Sequence, residues 1–280
     1  MSQRDKLRYL LQTVLKSKLL FAFFSLSLSL LLVVGSTYAW LTDQDQRINS
    51  SPKVASKLSL SLAGDFDQMI HWVPGTTKAK PIRVVNTGDI PAIVRISFDE
   101  FFVGFETTVQ DNHVDTDGNG NLKVYPTPVL PAITKETSTW VEGKTFEINA
   151  NKYYKANKVL RNKAYKYKDS GREEPLPAMQ LTFTPNKLFD GANKPGNTDS
   201  KYWYYEDGFF YYSEILPAGE TTTDLLESVT LSSDYANRYK GGLYHLVPTL
   251  DGHDISQSML TDWALDTTGF VYDLYENKLH

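Results

Sequence analysis

Cysteine is absent from the 280 residues. No disulfide can staple this fold, and no thiol can act as nucleophile or metal ligand. Zinc-protease spacing is absent as well. The five histidines are His71, His113, His245, His253 and His280, and no pair has the H-E-x-x-H interval that sets two ligands on one helical face around a Glu base. No G-x-S-x-G elbow offers a serine nucleophile. No repeat is visible, which excludes a solenoid. With these constellations missing, the expectation is a protein that is not an enzyme.

What the chain does have is one long apolar run. No charge occurs between Leu19 and Thr42, while Arg4, Lys6, Arg8, Lys16 and Lys18 precede it, a flank that stays cytoplasmic. A membrane span needs about 20 apolar residues, so length alone permits an anchor. The small-residue break at Gly35-Ser36, followed by the A-x-A-like Thr37-Tyr38-Ala39, favours cleavage between Ala39 and Trp40. Residues 1–39 then read as a signal peptide with an n-region over 1–18 and an apolar region over 19–34. The membrane is a partner only before that cut. Residues 1–39 hold five basic side chains and one acidic, Asp5; taking these from 29 basic and 33 acidic residues leaves 24 and 32, a net charge of −8. That balance excludes nucleic acid as a partner. It suits a secreted chain, and the lack of disulfides suits a Gram-positive surface.

The remaining chain reads as all-β, a jelly-roll-like sandwich of two antiparallel sheets with an inserted loop and helix lobe. Leu58, Leu60 and Leu62 alternate with polar residues on one face of a strand. Residues 81–86 and 90–98 read as a hairpin about Asn86-Thr87-Gly88-Asp89, with Ala92, Val94, Ile96 and Phe98 on one face and Arg95 and Ser97 on the other. Residues 108–200 are turn-rich and form the expected insertion, with a helix over 153–168. Strand character returns at 202–205 and 209–212 around Asp207-Gly208, a strong hairpin signal. Residues 242–250 and 270–275 read as the last strands, with a helix between them over 255–265. The globular domain therefore runs from 57 to 280, after a segment 40–56.

Several residues invite chemistry. Asp115, Asp117, Asn119 and Asn121 place oxygens at alternate positions, with Gly120 sixth, as in the front half of a calcium loop. The twelfth position is Pro126 rather than a bidentate Glu, so the alternative is a loop rich in Asx turns. No other cofactor is expected. The carboxylate pairs Asp99-Glu100, Glu173-Glu174 and Glu206-Asp207 read as solvated turns. In the hairpin of Tyr202 to Tyr212, alternate rings face opposite ways, so one set is core and the other offers a surface for a sugar or a partner.

Three stretches together resemble a known family. The uncharged run ending in "GSTYAWLTDQDQRINS", then "PIRVVNTGDIPAIVRISF", then "YWYYEDGFFYYSEILPAGETTTDLLESVTLS" are similar to the TasA/camelysin proteins, in particular their BsaA-type biofilm matrix branch. The likeness is specific at 30–45 and 80–98, good at 202–232 and thin at 108–200. It implies a jelly roll, export with processing by a SipW-type signal peptidase after Ala39, and assembly with other copies into extracellular matrix fibres. It also implies that the new N-terminal segment lies as a donor strand in a neighbouring subunit. In this sequence the donor is Trp40 to Ser50, with Trp40, Leu41 and Ile48 as its apolar contacts, the alternative being a flexible tail. Camelysin-like members imply a metalloprotease as a second reading. A monomeric surface adhesin or carbohydrate binder is a third.

Overall fold

The computed structural model describes residues 57–67, 69, 72–108, 120–169, 171–235 and 237–279. The leader, the cut at Ala39-Trp40 and the segment 40–56 lie outside the described residues. Eleven strands are described: β1 (Leu60–Gly64), β2 (Thr77–Asn86), β3 (Ile93–Phe105), β4 (Thr145–Asn149), β5 (Lys152–Ala164), β6 (Met179–Phe183), β7 (Leu188–Phe189), β8 (Trp203–Glu206), β9 (Phe209–Tyr212), β10 (Leu226–Leu231) and β11 (Leu243–His253). Two short helices follow, α1 (Ser258–Asp262) and α2 (Phe270–Glu276). The chain is an all-β sandwich. One sheet has four strands in the order β1-β2-β10-β6, and the other has seven in the order β4-β5-β3-β9-β8-β7 with β11 also on β3. All pairs are antiparallel except β7 with β8.

β3 organises the larger sheet. β11 runs along its whole length on one side, while β5 and β9 share the other. Its sequence, IVRISFDEFFVGF, is buried at ten of thirteen positions, with Arg95, Ser97 and Asp99 half-buried, because both of its faces are covered. Val94, Ile96, Phe98 and Phe102 face the interior with Ile82 and Val84 of β2 and Leu226 and Val229 of β10. Ile93 lies on the opposite face beneath the C-terminal helices, where Met259, Trp263, Val271 and Tyr275 cover Tyr204 and Tyr211. Farther along that face, Phe101, Val103 and Phe105 pack against Ile133 and Trp140.

Three expectations change. Residues 81–86 and 90–98 form strands, but not a hairpin: β2 belongs to one sheet and β3 to the other. Both strands direct apolar side chains inward, so they meet face to face across the core instead of edge to edge. Asn86 holds the crossing, its buried amide donating to Ile90 O (2.8 Å) and Leu216 O (2.9 Å) while its oxygen accepts from Gly88 N (3.0 Å). The expected helix over 153–168 is strand β5, and β4 to β7 supply both sheets, so the 108–200 segment is woven into the sandwich. The expected strand at 270–275 is helix α2, which buries Val271 and Tyr275, four residues apart on one helical face.

Candidate functional site

The sheet edges are the places where this fold differs most from one strand to the next. An edge strand exposes unpaired N–H and C=O groups that invite another chain, and soluble proteins blunt such edges with charge, proline, short length or cover. The seven-stranded sheet is guarded in these ways. β7 is two residues long. β4 is met by Ile133, whose N–H donates to Thr145 O at 2.7 Å. The half of β5 that extends past β4 carries Lys158, Arg161 and Lys163. On β11, Tyr244 exchanges both backbone bonds with Met69 at 2.9 Å, so its polar groups point away from β3. Pro248, four residues on, shares that outward direction, and its missing N–H costs the β3 ladder nothing.

In the four-stranded sheet, β6 is half capped. Ala178 O accepts from Ser232 N (2.8 Å) and Thr184 N donates to Leu225 O (3.1 Å), so by alternation Met179, Leu181 and Phe183 direct their backbone groups outward. Arg172 occupies Met179 O, at 3.2 and 3.3 Å. β1 differs. Lys57 O and Ser59 O accept from Asp89 N and Thr87 N at 2.9 Å, which turns the backbone groups of Leu58, Leu60 and Leu62 to the outer side. The three leucine side chains pack on the core. Among the described residues, β1 pairs with β2 alone and carries neither proline nor charge on its edge.

The outer side of β1 looks toward the edge of β11. Leu60 Cδ1 lies 1.9 Å from where a Cβ on Gly252 would stand, so the leucine side chain rests directly on the Gly252 backbone. At the far end, Met69 closes the mouth by its bonds to Tyr244. Beside it is a cavity of about 340 Å³ lined by Phe66, Asp67, Lys135, Glu136, Thr137 and His245. His245 is within 3.2 Å of Phe66 O through Nε2. Burial, with the charge of Lys80 added, pushes its imidazole below the usual range. Lys80 itself is buried and donates to Asp67 O at 3.0 Å.

The residues singled out in the sequence fall unevenly. Ala39, Trp40, Leu41 and Ile48 lie outside the described residues, as do Asp115, Asp117 and Asn119. Asn121 is described, and its carbonyl accepts from Thr108 N at 2.7 Å at the base of that loop. A Cβ on Gly120 would stand 1.3 Å from Thr108 O, so close backbone approach explains that glycine. No group of three or more potential metal-ligating side chains occurs among the described residues. His245 and His253 lie on one strand, eight residues and thus about 27 Å apart. His71, His113 and His280 are not described.

Two expectations about side chains are corrected. Glu100 is not in a solvated turn. It is fully buried, paired with Arg172 and accepting from Tyr244 Oη at 2.8 Å. Burial lifts its carboxyl above the usual range, against the pull of Arg172 and Tyr244. The inward period of Val94, Ile96 and Phe98 continues to Glu100 and Phe102, and following it one step farther would have found this site. The tyrosine-rich hairpin forms at Asp207-Gly208 as expected, with both residues at positive φ, 49° and 87°. Yet neither of its faces is free: Trp203, Phe210 and Tyr212 are in the core, and Tyr202, Tyr204 and Tyr211 lie under the C-terminal cover.

Comparisons of the chain with protein-family models, with curated proteins and with solved structures find no match.

Proposed function

We propose that this chain is a secreted structural subunit that polymerises into extracellular matrix fibres, each copy adding its segment 40–50 to the sheet of the next. The observation that carries the reading is β1: among the described residues it pairs on one side only and carries neither proline nor charge, whereas β6 is half capped by Arg172 and the edges of the larger sheet are shortened, charged, covered or interrupted by proline. Main-chain bonding at Leu58, Leu60 and Leu62 is indifferent to the donor's side chains, which suits a segment whose apolar residues are only Trp40, Leu41 and Ile48. A donor just upstream of the acceptor strand makes the contact head-to-tail, and such contacts grow into filaments when they do not close. Processing after Ala39 by a SipW-type peptidase frees that donor, so growth begins outside the cell.

Electron microscopy of chains starting at Trp40 and at Lys53 tests this. Fibres are expected from the longer form alone; fibres from both would place the contact elsewhere. Leu58→Pro removes one outward N–H two residues ahead of β1, where no ladder bond to β2 is lost. It is expected to shorten or abolish fibres while the circular dichroism of the sandwich is retained.

A further inference from the structure

The end of β11 and the first C-terminal helix meet at His253. Its Nδ1 stands 2.7 Å from Asp254 Oδ1 and 3.0 Å from the Asp254 carbonyl oxygen, and its Nε2 stands 2.9 Å from Asp262 Oδ2. A neutral imidazole has one N–H and donates to one partner; serving acceptors at both nitrogens requires the imidazolium. The side chain is 19% exposed, and the carboxylates are 54% and 57% exposed. The groups facing the ring are Asp254 just past the strand end, Asp262 from α1 and Trp263 directly after it, the indole meeting the ring edge-on at 6.3 Å between centroids. Beyond the indole lies Arg95, 4.4 Å from that ring and held by Asp251 at 2.8 Å.

We propose that His253 is a proton-operated latch on the C-terminal cover: charged, it clasps Asp254 and Asp262 and holds α1 to the end of β11; uncharged, it releases one of them. The released element matters because α1, Trp263 and α2 roof the aromatic outer face formed by Ile93, Tyr204 and Tyr211. Burial works against the charge, and the two aspartates more than offset it, so the imidazole titrates above its usual value. A folded pKa above the unfolded one gives stabilisation that is complete below about pH 6.5 and is lost as pH rises through the folded value. The roof is therefore tight in mild acid and loosens toward alkaline pH.

Histidine-detected NMR and hydrogen exchange on the purified full chain between about pH 5.5 and 8.5 test the latch. The His253 signal, identified by its loss in His253→Gln, is expected to titrate above about 6.5. Exchange protection over 258–279, corrected for intrinsic rates, is expected to fall about two- to five-fold across the same midpoint, the scale of an exposed ion pair. His253→Gln should flatten that dependence, and Asp262→Asn should lower the midpoint with the fold intact. A midpoint at or below 6.5, equal protection at both extremes, or a pH dependence that survives in His253→Gln would each overturn the proposal.

Discussion

The seven-stranded sheet is covered on both faces and guarded at its edges, whereas the four-stranded sheet is covered on one face and, among the described residues, has no strand on the outer side of β1. On its solvent side, Ser61, Ala79, Arg83, Gln180, Thr182 and Glu227 are exposed. Burial on both sides encloses β3, while the outward backbone groups of Leu58, Leu60 and Leu62 have no strand beside them among the described residues.

The comparison can be broken first where the two sheets are tied together. Glu100 belongs to β3, and Arg172, which grips it, also holds Met179 of β6. Glu100→Ala leaves a buried guanidinium without its partner and is expected to cost about 3–5 kcal/mol in chemical denaturation. The double change Glu100→Leu with Arg172→Met should cost far less than either single change, because no charge is then stranded. A smaller loss probes the roof of the larger sheet. Tyr275 Oη donates to Tyr212 O at 2.6 Å in a fully buried setting, so Tyr275→Phe is expected to lose about 1–2 kcal/mol with packing kept. The least effect belongs to the solvent face of the four-stranded sheet. Arg83 pairs with Asp224 at 3.1 Å in the open, and Arg83→Ala should change the unfolding free energy by no more than about 0.5 kcal/mol. A cost there similar to that of Tyr275→Phe would erase the distinction between the sheets.

Features set by local chemistry were legible in the sequence. The β8–β9 hairpin follows from Asp207-Gly208, two residues suited to positive φ, and the leucine face of β1 follows from simple alternation. Alternation, however, fixes which way a side chain points and not which strand lies alongside. That is why β2 and β3 read as a hairpin, and why the bareness of β1 could not be seen: edge status depends on β11, β6 and β10, more than a hundred residues away. Short apolar runs are ambiguous between helix and strand. Tyr153 to Lys168 reads as helical from its charge and length, yet it lies between β3 and β4, where ladder bonds decide. Phe270 to Tyr275 reads as extended, yet it has no strand beside it and buries Val271 and Tyr275 by coiling. Glu100 was hidden by its neighbour Asp99, since a pair of acids suggests water even when one of them continues the inward face.

The pairing of β3 with β11 has a consequence in time. The central strand is complete by Phe105, but its full-length neighbour ends only at His253. Long-separated pairings of this kind fold slowly, because the intervening loop must close before any bond rewards it. The larger sheet thus stays unfinished until nearly all of the polypeptide has emerged, and a chain halted before residue 243 presents β3 with one flank empty. Closure of the larger sheet therefore waits on residues 243–253, whose arrival gives β3 its second flank.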